Sequence, residues 1–235
     1  MTTKQNLFIS EKFTSIQGEG RTMGCRSIFV RLSGCNILCQ SDSWICDTIE
    51  VWKKGTKTNF DEVFTENELL ALKDGTHLVI TGGEPLMHQK KLVEFFQWFA
   101  NTYNFLPIIE IETNCTIIPN DYLCQIVNYF NVSPKLSNSG EKIQKRYKPE
   151  VWKFFNNLSS SIFKFVIANT EDWVELTNLT IENRIHKFKI WVMPAGSSQE
   201  ELINTRLFVA QLSISQNVNF SDRLHISLWN QKTGV

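Results

Sequence analysis

The chain has no surplus of either charge: 24 Lys and Arg stand against 24 Asp and Glu in 235 residues. A protein that coats nucleic acid by releasing its counterions needs a basic excess, so bulk binding of that kind is excluded and no direct nucleic-acid contact is expected. No run of about 18 apolar residues occurs, which leaves no candidate membrane helix. The opening MTTKQNLFISEKF has no apolar core of signal-peptide length, so the chain is read as cytoplasmic. Internal repeats and low-complexity tracts are also lacking. Cysteine is sparse, at six residues, and in a reducing compartment clustered cysteines read as metal ligands or redox groups before disulfides. The length fits one large domain over 1–235 with its own core.

What is present is an alternation. Apolar, β-branched segments at 27–34, 76–83, 107–114, 126–135, 161–169, 188–196 and 223–230 are separated by helical patterns, which predicts βαβ units and an α/β fold with a largely parallel sheet. Thr65 with Glu68, and Ser197 with Glu200, fit capping boxes at helix starts. Between them, Leu92, Phe95, Phe96 and Phe99 recur at helical spacing and form a core-facing stripe over 88–103. The polar, turn-rich segment 135–150 reads as a loop or insertion, too short for a domain boundary.

Polar and glycine-rich residues gather where the strands end. Thr81-Gly82-Gly83-Glu84-Pro85, Glu112-Thr113-Asn114, Ser133-Pro134-Lys135 and Met193-Pro194 each follow a strand directly. In a parallel barrel or open α/β sheet those ends form one face, where ligands bind. Four strand ends therefore predict one site.

The densest chemistry is CNILCQSDSWICDT, with Cys35, Cys39 and Cys46 in a C-x3-C-x6-C pattern. A closed structural zinc site wants four ligands, and only Cys25 could complete a local set. Iron-sulfur clusters take one thiolate per iron, so three cysteines leave one iron open to a substrate or cofactor. Spacing alone leaves both readings standing. Gly82 and Gly83 would let backbone groups approach a ligand closely, and Glu84 would offer an acceptor to an ammonium.

At this point the sequence resembles the radical S-adenosylmethionine enzymes, through its cysteine loop and TGGEP (81–85). Within them it is most similar to the 7-carboxy-7-deazaguanine synthase family, through SIQGEG (15–20), FVRLSGCN (29–36), CDT (46–48), IETN (111–114), VSPKL (132–136) and LHISLWNQKTGV (224–235). The resemblance implies a modified, incomplete (β/α) barrel, with its cluster-binding loop at 35–48. It implies a lyase in which a [4Fe-4S] cluster cleaves S-adenosylmethionine to a 5'-deoxyadenosyl radical, and 6-carboxy-5,6,7,8-tetrahydropterin loses ammonia to become 7-carboxy-7-deazaguanine. That product is a precursor of queuosine-type deazapurines. A homodimer and an electron donor such as flavodoxin or ferredoxin are implied as well.

Carried over residue by residue, the resemblance makes Cys35, Cys39 and Cys46 the cluster ligands. Ile45, Asp47, Gly82, Gly83, Glu84, Asn114, Ser133, Pro134, Lys135 and Met193 become cofactor contacts, with Cys46 beside them. Ile16, Gln17, Gly18, Glu19, Arg31, Thr81 and the C-terminal Val235 become substrate contacts. Thr48, with Asp47 as a second oxygen donor, becomes the Mg2+ ligand, as suits a hard cation. The spacer of six residues between Cys39 and Cys46 departs from the family's usual two, at a closure cost of about 1 kcal/mol. Cys115, where the family usually has glycine, and Cys124 read as packing residues.

Arg31 alternates with Ile28, Val30 and Leu32, so it occupies the opposite face of its strand; facing inward, it would need an anion beside it. His225 reads as a core or rim histidine, and the seven tryptophans as packing groups. Two other functions share parts of this pattern: a radical enzyme that makes a glycyl radical on a partner protein, and a non-catalytic metal-binding module. The first has no need of the QGEG segment or Arg31, and the second has no need of the glycine pair.

Overall fold

The computed structural model describes residues 5–41, 46, 49–232 and 234. Its strands are β1 (Asn6–Ile16), β2 (Arg26–Leu32), β3 (Thr56–Asn59), β4 (His77–Gly82), β5 (Ile108–Thr113), β6 (Tyr129–Val132), β7 (Ser161–Ile167), β8 (Ile190–Pro194) and β9 (Asn219–Phe220). Among them run α1 (Ile49–Trp52), α2 (Glu66–Lys73), α3 (Gln89–Tyr103), α4 (Asp121–Ile126), α5 (Ile143–Arg146), α6 (Pro149–Asn157), α7 (Thr170–Glu182), α8 (Gln199–Gln216) and α9 (Leu224–Trp229).

The strands form one sheet in the order β3-β1-β2-β4-β5-β6-β7-β8-β9. From β2 to β9 every pairing is parallel, whereas β1 pairs antiparallel with both β2 and β3. The two ends of this order do not meet, so the barrel is open. The expected architecture is therefore present.

Period-two alternation divides the parallel strands between two environments. Ile28, Val30, Leu32, Leu78, Ile80, Ile109, Ile111, Phe163 and Phe165 turn outward into a continuous core with the surrounding helices. On α3 the stripe expected from the sequence, Leu92, Phe95, Phe96 and Phe99, is buried against them. The inward residues of the same strands are largely polar: Arg31, His77, Thr81, Glu110, Glu112, Asn131 and Lys164. The apolar residues thus drive the layer together, while the polar ones are left to line the concave face.

Thr65 caps α2 in a complete capping box with Glu68, as its spacing indicates. The box at α8 lies one residue later than expected. Ser198 is the cap and accepts from the Glu201 N–H, while the Glu201 carboxylate takes the Ser197 N–H and hydroxyl.

Segment 223–230 is not a strand but helix α9, and the strand paired with β8 is the short β9. An apolar run of six residues fits either period, and here Ile226 alone is buried, as on a helix lying along a surface. The segment at 135–150 is a structured loop. Arg146, buried, pairs with Glu175 at 2.8 Å and donates to the Lys135 and Glu141 carbonyls.

Candidate functional site

A cavity of about 330 Å3 opens at the C-terminal ends of the parallel strands, within the size range of small-molecule sites. Cys35, Cys39, Cys46, Gly82, Gly83, Asn114, Ser133, Lys135 and Met193 line it. Ile16, Gln17, Gly18, Glu19, Arg31 and Thr81 line it as well. Residues distant in sequence therefore meet in one space. Those at the ends of the parallel strands do so as their positions foretell, whereas residues 16–19 end and follow the antiparallel β1, whose last residue, Ile16, pairs with Arg26 at the start of β2. Ile45, Asp47, Thr48 and Val235 lie outside the described residues.

All six cysteines are free thiols. Cys35 follows the end of β2, and residues 35–40 alternate: Cys35, Ile37 and Cys39 turn inward, while Asn36, Leu38 and Gln40 are exposed. The wide spacer is bridged by the backbone, because the Cys46 N–H donates to the Cys39 carbonyl at 3.0 Å. Both residues line the same cavity. Burial pushes the Cys39 thiol up to about 11, so the metal-free chain carries it protonated and cluster loading releases that proton. Cys25 precedes β2, whose seven residues place it about 23 Å along the strand from the loop. It cannot serve as a substitute ligand.

The glycine pair packs directly on this loop. A Cβ on Gly83 would lie 2.3 Å from the Gly34 carbonyl oxygen and 2.5 Å from the Cys35 Cβ. The Glu84 N–H donates to that same carbonyl at 3.0 Å. Gly83→Ala is therefore expected to push Cys35 away and to reduce bound iron to a minor fraction, measured by iron and sulfide content after anaerobic reconstitution.

Glu84 does not face the cavity. Its carboxylate is fully buried behind the glycines, where it accepts from the Asn114 and Leu86 N–H groups and the Thr113 hydroxyl at 2.6–3.0 Å. Burial pushes it up to about 7 against the pull of those donors. Its observed work is to lock the end of β4 to the end of β5. Pro134 is likewise buried behind the cavity wall.

Two contacts invisible in the linear pattern hold the cysteine loop from the other side. The Asn114 side chain donates to Asn36 Oδ1 at 2.9 Å and approaches Cys35 Sγ at 3.9 Å, and Asn36 donates in turn to the Thr116 hydroxyl. The Leu38 N–H donates to Glu141 at 2.8 Å, which docks the 135–150 loop on the cysteine loop. Cys115 is fully buried in the core with φ of +68°, a left-handed conformation that glycine adopts at little cost. Cys124 packs on α4 with its thiol at the Pro119 carbonyl.

Arg31 faces the cavity, and the anion beside it is Glu11, at 3.1 Å. A bulge explains how Glu11 reaches it. Along β1, Leu7 and Ile9 point into the helix-covered core, and regular alternation would send residue 11 there too. The pairing with β2 slips between Ile9 and Glu11, which turns Glu11 and Phe13 into the cavity. Phe13 then stacks on Phe29, with ring centroids 4.8 Å apart, as a flat apolar wall.

Opposite stands a charged group that the sequence reading took only in part. Glu19 pairs with Lys164 at 2.5 Å and Arg223 at 3.1 Å, all three largely buried. Burial alone would raise the Glu19 carboxyl, but Lys164, Arg223 and His225 hold it far below the usual carboxylate range. Glu112 also lines the cavity, accepting from Thr81 at 3.1 Å and from Gln17 at 3.4 Å. Lys164, Arg223, Glu112 and Glu11 were missed as site residues because single charges carry no spacing signature; Glu112 alone stood inside a quoted motif.

A model of the 4Fe-4S single cluster domain matches residues 16–132. The 7-carboxy-7-deazaguanine synthase of Pyrobaculum aerophilum is 31% identical, with both chains covered along their full length. The chain belongs to the 7-carboxy-7-deazaguanine synthase family. It is thereby a radical S-adenosylmethionine enzyme. The synthase of Halobacterium salinarum is 30% identical over 94% of this chain and 90% of its own. In fold the chain is similar to QueE from Escherichia coli, with a TM-score of 0.67 at 21% identity over 96% of this chain and all of the other.

The donors fit the cluster that this family's domain description names. Among the described residues no three His, Cys, Asp or Glu side chains converge on a single ion. A cuboidal cluster needs no such convergence, because each thiolate takes its own iron.

Proposed function

We propose that the chain converts 6-carboxy-5,6,7,8-tetrahydropterin into 7-carboxy-7-deazaguanine with loss of ammonia, using a [4Fe-4S] cluster, S-adenosylmethionine and Mg2+. The carrying observation is that three loop thiols share one cavity with an inward arginine, a carboxylate and a stacked aromatic wall. Substrate and product differ by one ammonia, so the conversion is redox-neutral overall and needs initiation rather than a stoichiometric oxidant. The cluster with S-adenosylmethionine, when bound, supplies the hydrogen-abstracting radical.

This chain's own residues bind and orient. Cys35, Cys39 and Cys46 hold the cluster, with Asn114 steadying Cys35. Gly82 and Gly83 offer backbone to the amino-acid end of the cofactor, and Ser133, Lys135 and Met193 complete that side. Glu84 serves this cradle from behind, by fixing Asn114 and the glycine turn. Arg31 grips the pterin carboxylate, for which a guanidinium has matching donors. Gln17, Gly18, Glu19 and Thr81 border the ring with Ile16, and Glu112 accepts from its N–H edge. Thr48, Asp47 and Val235 keep their assignments to Mg2+ and to the substrate, and Ile45 its assignment to the cofactor.

The protein is proposed to act as one domain and as a homodimer in the cytoplasm, reduced by a donor such as flavodoxin or ferredoxin. Among the described residues no helix is long and apolar enough to cross a membrane.

The test is an anaerobic assay of the reconstituted, reduced protein with S-adenosylmethionine, Mg2+ and the pterin, following 5'-deoxyadenosine and 7-carboxy-7-deazaguanine by mass spectrometry. Both products support the reading. Deoxyadenosine alone moves the substrate toward a partner protein, and neither product from a cluster-loaded chain leaves a binding module.

Arg31→Ala is expected to raise KM for the pterin at least about tenfold, the loss of one charge-assisted contact, while substrate-free cleavage of S-adenosylmethionine persists. Equal loss in both assays would refute that division of labour.

A further inference from the structure

Below the cavity lies a buried carboxylate for which the proposed reaction has no use. Glu110 sits on the inward face of β5, two residues before Glu112, and is fully buried. Four polar groups surround it. His77 Nδ1 lies 2.5 Å from Oε1, while the Thr22 hydroxyl, the Asn131 amide and Gln17 Nε2 reach Oε2 at 2.8, 3.1 and 3.4 Å. The hydroxyl and the two amides donate to Oε2, and His77 Nδ1 shares a hydrogen bond with Oε1.

The same amide nitrogen of Gln17 lies 3.4 Å from Glu112, and Gln17 Oε1 accepts the Glu19 N–H at 3.2 Å. One carboxamide therefore spans two carboxylates with its two N–H bonds and turns its oxygen to the backbone of the QGEG segment. Without Glu110 the second N–H would have no acceptor on that side, and the carboxamide could rotate away from Glu112. His77, at the rim of the sheet and stacked on Tyr129, anchors the far end of this chain of contacts.

We propose that Glu110 and His77 are positioning residues: they set the Gln17 carboxamide, and through it the Glu112 carboxylate, for the polar edge of the substrate. This rests on the pterin reading above. Neither residue lines the cavity, so both act through Gln17.

The test compares cluster-loaded wild type with Glu110→Gln, His77→Leu and His77→Asn. Glu110→Gln replaces one of the two accepting oxygens by an NH2 donor, so either His77 or the group of donors that includes Gln17 loses its acceptor, and His77→Leu removes the contact to Oε1; His77→Asn places an amide N–H where Nδ1 stands. The expected result is a rise of about tenfold in KM for the pterin in the first two, with iron content and substrate-free cleavage of S-adenosylmethionine kept, and recovery to within about twofold of wild type in His77→Asn. A lower melting temperature with unchanged KM would make the pair merely structural and overturn the proposal. So would a parallel loss of cofactor cleavage, or no difference between His77→Leu and His77→Asn.

Should Glu110→Gln fail to fold, the two His77 variants decide alone. If wild type makes no deazaguanine, the pterin reading fails instead, and crystal structures of wild type and His77→Leu decide the positioning. A rotated Gln17 carboxamide in the variant supports it, and an unmoved one overturns it.

Discussion

Cys39→Ala is expected to abolish both the cluster and all turnover. Iron and sulfide should fall to background after reconstitution, and neither 5'-deoxyadenosine nor deazaguanine should form. The loop offers three thiols, one for each of three irons, so losing one leaves two irons without a protein ligand. No other cysteine can take over. Cys25 stands at the opposite end of β2, Cys115 is sealed in the core and Cys124 lies on α4. Cys25→Ser and Cys124→Ser should accordingly keep their iron and their activity. An iron content in Cys39→Ala equal to wild type would remove Cys39 from the ligand set.

Glu19→Gln is expected to cost about 3–5 kcal/mol of stability, because it leaves Lys164 and Arg223 buried without their anion. In a chain of this size that lowers the melting temperature by roughly 10 °C. The effect carries a pH signature. The folded state holds the Glu19 carboxyl far below its ordinary value of 4.5, so its contribution is fully present above that value and is lost as the pH falls below it. Melting curves of wild type and variant should therefore differ most near neutral pH and converge in acid. A constant gap down to the acid limit would show that the lost contribution is packing rather than charge. Since Glu19 borders the cavity, pterin turnover should fall in the same variant.

These two outcomes rest on parts of the protein that differ in how far they can be read from residues in a row. The cysteine loop and the glycine turn are local: their chemistry lies in residue types at short spacing, and the structure brings them together where strand ends must meet. The ion cluster is not local. Glu19 meets Lys164 and Arg223 across 145 and 204 residues, and nothing near any of the three announces the others.

The strands show the same division. Six of the seven expected segments contain strands because an apolar, β-branched run between helices has one stable place, the middle of a parallel sheet. Segment 223–230 became a helix, since its short run satisfied both periods and only docking against the barrel end chose between them. Strand β1 went unread for the opposite reason. Its bulge breaks the alternation that would have revealed it, and that break aims Glu11 at Arg31.

By itself, then, the sequence determined the α/β class, the outward core, the cysteine and glycine turns and the common face on which they lie, because each follows from periodicity or from residue type at short range. Only the tertiary structure decided that Glu84 braces the site from behind, that Glu11 is the partner of Arg31, and that Glu110 stands under Gln17. Those assignments depend on strand register and on contacts between distant segments, which exist only once the sheet has assembled.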